Sequence, residues 1–245
     1  SLGYQGFELY FQPIVRVKDE SLYAAEALLR IHDKNGNFIS PAEAIPILEE
    51  SGLIIPVGKW IIQNAFSMCT ECRKYYPEFR VSINLSYVQI LKSPLMMELK
   101  QIIEHSGISC SGIIVELTES GYLEGTPAVR SVWNDMKKLR IQIALDDFGT
   151  GYSNLMNISN LEPDIVKLDR GFTLKALSRS YEYQLMQYVI EMVHKLNQYV
   201  CVEGVETKED LEKIKALGPD LIQGYYYSKP CSRDEFLKKF FGYSE

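Results

Sequence analysis

Six apolar runs in this chain carry, at or near their ends, a side chain able to do chemistry: Glu26, Asn84, Glu116, Asp146, Lys167 and Glu203. In an extended segment, residues two apart face the same way. Glu26 shares its parity with Ala24, Leu28 and Arg30, and Asn84 with Ser82. Glu116 goes with Ile114, Asp146 with Gln142 and Ala144, Lys167 with Ile165 and Asp169, and Glu203 with Cys201. The other parity is mostly apolar, as in Val81, Ile83 and Leu85 or Ile141, Ile143 and Leu145, and suits packing beneath helices. A single polar strand end is ordinarily a solvated residue. Six on matching parity describe a converging site.

Gathered in one mouth, Glu26, Glu116, Asp146, Asp147 and Glu203 cannot all ionise without cations. Lys167 and Arg30 are the basic residues at these ends and cannot balance so many carboxylates. His32, His105 and His194 lie elsewhere, which argues against an imidazole zinc site. Oxygen ligands, Asn84 included, suit Mg²⁺ or Mn²⁺ before Ca²⁺. With this many carboxylates two ions are expected, and a pair roughly 3.5–4 Å apart is the usual apparatus for in-line displacement at phosphorus.

The elements that must position these groups alternate along the chain. Strands are expected at 8–17, 22–29, 80–85, 113–117, 141–145, 165–168, 199–202 and 221–224, with amphipathic helices between most of them. "SPAE" opens one helix, with Ser40 as N-cap, Pro41 at N1 and Glu43 at N3 of a capping box. Another helix carries Leu174, Leu177, Tyr181, Leu185, Tyr188, Met192 and Leu196 as its apolar face; a third, 208–217, stops at Gly218-Pro219. Eight strands alternating with helices in 245 residues fit an α/β TIM-type (β/α)8 barrel. A doubly wound sheet usually announces a nucleotide with a glycine-rich first turn, and none follows the early strands. Residues 18–21 are too few for a helical crossover, so the first two strands form a hairpin and one strand runs antiparallel near the N-terminus.

One domain over 1–245 is expected, with residues 1–6 a scar or linker. The net charge of −6 argues against bulk nucleic-acid binding, and no apolar run reaches the ~20 residues that span a bilayer. Five scattered cysteines are unlike a disulfide framework, and Cys69-x-x-Cys72 lies within a helical pattern, so its thiols are read as packing groups. The balance favours a reducing compartment.

The motifs identify a family resemblance. "FQPIV" (Phe11–Val15), "EALLR" (Glu26–Arg30), "INLS" (Ile83–Ser86), "ELTES" (Glu116–Ser120), "DDFGTGYSN" (Asp146–Asn154), "DIVKLDRGF" (Asp164–Phe172), "VEGVET" (Val202–Thr207) and "QGYYYSKP" (Gln223–Pro230) occur in that order. Together they resemble the EAL domain, the phosphodiesterase family that hydrolyses cyclic di-GMP to linear pGpG. That likeness implies a TIM barrel with one antiparallel strand and two Mg²⁺ or Mn²⁺ ions, Ca²⁺ being inhibitory. Glu26, Asn84, Glu116 and Asp146 would hold one ion. Asp146 would bridge to a second bound by Asp147, with Glu203 ligating directly or through water. Lys167 and Glu203 would position and deprotonate the attacking water. Arg30 would contact a phosphate, Glu206 and Gln223 would lie at the substrate rim, and Glu119 would anchor the loop after Asp147. The likeness also implies a homodimer, a bacterial signalling role in the cytoplasm, and regulatory domains outside this chain. Its alternative is a catalytically silent cyclic di-GMP receptor; enolase-like proton abstraction, which uses Mg²⁺ and a lysine base on a similar barrel, is the rival from another enzyme class.

Overall fold

The computed structural model describes residues 5–118, 126–150 and 161–242. Eight strands close a mixed barrel. β1 (Phe7–Arg16) and β2 (Leu22–His32) form the expected hairpin, and β4 (Arg80–Asn84), β5 (Ile113–Thr118), β6 (Gln142–Phe148), β7 (Ile165–Leu168), β8 (Tyr199–Glu203) and β9 (Leu221–Gln223) complete the ring. β1 is the antiparallel strand, pairing that way with both β2 and β9, while β2 and β4 to β9 are parallel neighbours. A two-residue strand, β3 (Phe38–Ile39), lies outside the ring on β2. It is too short to leave a periodic pattern.

The strand parities divide the core. Ile14, Ala24, Ile114, Ala144, Ile165, Cys201 and Leu221, with Tyr23, form a buried cluster that plugs the barrel. The opposite faces, among them Val81, Ile83, Val115, Ile143, Leu145, Val166 and Val202, enter the larger core beneath the helices. Two residues from the plug residues of β2, β5, β6, β7, β8 and β9 stand Glu26, Glu116, Asp146, Lys167, Glu203 and Gln223. A dry floor is therefore laid directly beneath the polar mouth.

Around the ring lie α1 (Pro41–Glu50), α2 (Ile54–Tyr75), α3 (Tyr87–Lys92), α4 (Leu95–Ser106), α5 (Pro127–Lys138), α6 (Arg170–Ser178), α7 (Ser180–Lys195), α8 (Lys208–Lys215) and α9 (Arg233–Phe241). α1 starts at Ser40 with Pro41 at its first turn as expected, but the Ser40 side chain makes no capping hydrogen bond. Capping boxes form instead at Ser86, Thr207 and Ser232. Within α2, Cys69 and Cys72 are fully buried free thiols, as a packing role requires.

A second expectation is overturned. The helix expected to run on through Leu174 to Leu196 is two helices, broken where Arg179 adopts an extended conformation (φ −140°, ψ 130°). Its proposed apolar face is largely outside: Leu174, Tyr181, Leu185, Tyr188 and Leu196 are exposed. α7 turns Met186, Ile190 and Val193 to the core. Three- and four-residue spacing identifies a stripe, and two stripes compete on this segment; burial chose the other.

Candidate active site

Lys167 is the centre of the mouth. Its side chain rises from the short strand β7 and is 1% exposed. Nζ lies 2.6 Å from Glu116 Oε2, 2.8 Å from Glu203 Oε1, 3.3 Å from Asp146 Oδ1 and 3.4 Å from Glu26 Oε2. Those carboxylates come from β5, β8, β6 and β2, so neighbouring parallel strands deliver one polar group each to the same level. Supporting donors fix the carboxylates in turn. Asn84 Nδ2 donates to Glu26 Oε1 at 2.7 Å, Gln223 Nε2 to Glu26 Oε2 at 2.6 Å, and Ser82 Oγ to Glu116 Oε1.

One ammonium faces four carboxylates, and the ionisation tendencies record the imbalance. Burial drives Glu116 well above the usual carboxylate range, with Glu26 and Asp146 adding to it against Lys167. Burial likewise pushes Glu203 up to about 8, opposed by Lys167 and reinforced by Asp146 and Glu26. Glu26 ends below its ordinary value: burial raises it, but Lys167, Gln223 and Asn84 together outweigh burial. Burial alone would lower Lys167, yet Asp146, Glu116, Glu203 and Glu26 hold it well above an ordinary lysine.

The donor set fits hard divalent cations. It is all oxygen and carries excess negative charge, and three of its carboxylates, Glu26, Glu116 and Asp146, are buried. Asp146 Oδ1 lies 3.3 Å from Lys167 Nζ but is buried without a hydrogen bond, so it retains acceptor capacity facing the mouth. Among the described residues no three acidic, histidine or cysteine side chains close on a common point at ligating distance; the carboxylates converge on the ammonium instead.

The neighbouring aspartates point different ways for a visible reason. β6 slips register between Leu145 and Phe148, and Asp147 takes a left-handed conformation with φ 59°. The strand thus bends at Asp147 itself, two residues before Gly149. Burial, with Asp146 and Asp169 next in weight, raises Asp147 to about 6. Gly149 follows with φ 101°, where a Cβ would meet the Phe172 ring at 2.8 Å. Glu119, Gly151 and Asn154 lie outside the described residues.

At the rim, Arg30 stacks over Tyr10 (5.3 Å from guanidinium carbon to ring centre) and hydrogen-bonds Leu29 O. With Asn84 it borders a groove of about 480 Å³ whose lining includes Ile45, Ile54, Ile61 and Tyr87. Glu206 is exposed and held by Arg170, Nη2 to Oε1 2.7 Å, at the outer rim and outside the carboxylate cluster. Tyr225 and Tyr226 are exposed while Tyr227 packs on the core.

Sequence reasoning missed two residues. Asp169 shares the parity of Lys167, the one signal of its place here; it caps α6 through Gly171 N at 2.7 Å and adds its charge beside Asp147. Gln12 is a buried amide in the middle of β1, hydrogen-bonded to Gln223 at 3.2 Å. Its signal is a lone polar residue inside "YFQPIV".

Fold and site together define a TIM-type barrel with a carboxylate-and-lysine mouth at its carboxyl-terminal face. The EAL domain family model matches residues 1–230, and the chain belongs to that family. It is 31% identical over 230 residues to the cyclic di-GMP phosphodiesterase PdeF of Escherichia coli (strain K12), a match covering 94% of this chain and 30% of that protein. It is 34% identical over 230 residues to the uncharacterized protein y4lL of Sinorhizobium fredii, covering 94% of this chain and 27% of that one. The chain spans about a third or less of the length of these relatives. Among solved structures, the EAL enzyme Bd1971 in its cAMP- and cyclic-di-GMP-bound form superposes with a TM-score of 0.91 at 31% identity, over 96% of this chain and 65% of that chain. The PaMucR phosphodiesterase in its c-di-GMP complex superposes with a TM-score of 0.88 at 26% identity, over 95% of both chains.

Proposed function

We propose that this domain hydrolyses cyclic di-GMP to pGpG in a reaction dependent on Mg²⁺ or Mn²⁺. The observation that carries the reading is the convergence of Glu26, Glu116, Asp146 and Glu203 on Lys167 within 3.4 Å, in a family whose relatives include named cyclic di-GMP phosphodiesterases. Glu26, Asn84, Glu116 and Asp146 would hold one cation; Asp146 and Asp147, with Glu203, would hold a second. Bound cations supply charge neutralisation at the phosphodiester and an activated water for in-line attack.

The chain's own groups do the rest. Lys167 donates N–H to the attacking water or the phosphoryl oxygens from a position held on four sides. Glu203, the most exposed of those four carboxylates, accepts the water's proton. Arg30 offers a planar fork of donors to a phosphate, and the adjoining apolar groove takes a guanine. Glu206, paired with Arg170, supports the rim, Gln223 contacts substrate, and Glu119 anchors the loop beyond Asp147. A preorganised, buried arrangement of this kind stabilises developing charge with little reorganisation.

The same reading takes the chain as one EAL domain acting in the cytoplasm under regulatory domains outside it, and as a homodimer. Tyr181, Leu185 and Tyr188, exposed at three- and four-residue spacing on α7, support self-association. No helix among the described residues is long and apolar enough to cross a membrane. Incubation with cyclic di-GMP and Mn²⁺, followed by chromatography, is expected to yield pGpG. Intact cyclic di-GMP with binding retained would establish the silent receptor instead; light scattering tests the dimer.

A further inference from the structure

Two carboxamides run in series from a backbone carbonyl to a carboxylate of the mouth. Gln12 Nε2 donates to Ser228 O at 3.3 Å. Gln223 Nε2 donates to Gln12 Oε1 at 3.2 Å and to Glu26 Oε2 at 2.6 Å. A carbonyl and a carboxylate are both pure acceptors, so the direction of the whole chain is determined. Turning Gln12 over would set its oxygen against Ser228 O. Turning Gln223 over would set its oxygen against both Gln12 Oε1 and Glu26. Only one arrangement satisfies every link, and it spends both amide hydrogens of Gln223 inside the protein.

What remains is Gln223 Oε1. It is buried and has no hydrogen-bond partner among the described residues, on a side chain only 5% exposed. A buried acceptor left unmade is costly unless something arrives to fill it. The backbone cannot retreat to relieve it. Gly224 is pressed onto Val205, where a Cβ would meet Val205 O at 2.0 Å, and Gln223 is paired with both Glu203 and Ile14 across the ring.

We propose that Gln12 is a positioning residue for the reaction. It locks the Gln223 carboxamide so that Oε1 stands ready to accept a hydrogen bond from a hydroxyl of the bound substrate or from the attacking water. This rests on the phosphodiesterase reading above and adds to it a residue outside the cation ligands. Without the Gln12 oxygen, Gln223 keeps its bond to Glu26 but loses the second restraint that fixes its plane.

The test is a double-mutant cycle of Gln12→Leu and Gln223→Leu, read by kcat and KM, with side-chain amide spectra of the metal-free protein. Gln12→Leu is expected to lower kcat/KM about tenfold, the worth of one hydrogen bond of about 1.4 kcal/mol. In the Gln223→Leu background it should change kcat/KM less than about twofold, because coupled residues are non-additive. A rise in KM assigns the donor to a substrate hydroxyl, and a fall in kcat assigns it to water. Both Gln223 amide protons should exchange slowly in the wild type. One should become fast in Gln12→Leu. Equal losses in both backgrounds, or fast exchange of either proton in the wild type, would overturn the proposal. The exchange measurement needs no turnover, so a chain that proved inactive would sink the phosphodiesterase reading while still deciding whether the lock exists.

Discussion

Lys167 and Glu116 form the closest ion pair of the mouth, Nζ to Oε2 2.6 Å, with both side chains almost wholly buried. The pair is held from the far side by Ser82, so the carboxylate cannot swing away from the ammonium. Such a pair adds little when intact, since desolvation offsets its attraction, but breaking it strands a buried charge.

Lys167→Met should therefore be damaging in two separable ways. Without metal, the variant is expected to lose about 3–5 kcal/mol of stability, as buried pairs do when one partner is removed. Mn²⁺ should restore part of that loss by supplying positive charge. Turnover should stay down by about a hundredfold or more, because the lost donor is part of the preorganised site. Urea unfolding with and without Mn²⁺, beside a turnover assay, separates the two. Full activity would remove Lys167 from the reaction.

Metal and pH should act on stability together. Glu203 sits near 8 in the fold against an ordinary value of 4.5. A raised acid keeps a proton in the fold that the unfolded chain has released, so metal-free stability falls as pH rises through that window. Bound cations remove the penalty. The gain in melting temperature on replacing EDTA with Mn²⁺ is expected to grow from about pH 5 to about pH 8. A gain independent of pH would mean that Glu203 does not face the cations.

How much of this was legible beforehand follows from strand geometry. Side chains alternate along a strand, so the sequence alone places Glu26, Asn84, Glu116, Asp146, Lys167 and Glu203 on a common face. Gln12 escaped because β1 runs antiparallel: its contribution comes from mid-strand, where a rule about carboxyl ends does not look. The Leu174–Leu196 stripe misled for a different reason. Helical spacing reports that residues share a face, and it does not report whether the chain itself has anything to cover that face.

The thiols offer a test of packing. Burial pushes Cys69 up to about 12 and Cys72 higher still, and Cys69 Sγ donates to Gly112 O at 3.5 Å. A thiol held protonated and away from water is a poor nucleophile. Under native conditions an alkylating reagent should leave both unmodified and react first with the half-buried Cys110 and Cys231; urea should expose all. Native labelling of Cys69 or Cys72, read by peptide mass, would contradict their place in the core.

Asp147 permits the chemistry of a ligand to be separated from the shape of the backbone. Its φ of 59° is a region that asparagine and aspartate tolerate and β-branched residues resist. Asp147→Asn removes a charge while keeping that tolerance, so its melting temperature without metal should match the wild type or rise slightly as repulsion from Asp146 and Asp169 falls. Its turnover should drop by about a hundredfold, with higher Mn²⁺ needed for what remains. Asp147→Val should add about 1–2 kcal/mol of backbone strain to the same catalytic loss. If asparagine supported normal turnover at ordinary Mn²⁺, the bend in β6 would serve the following loop, and Asp147 would not be a ligand.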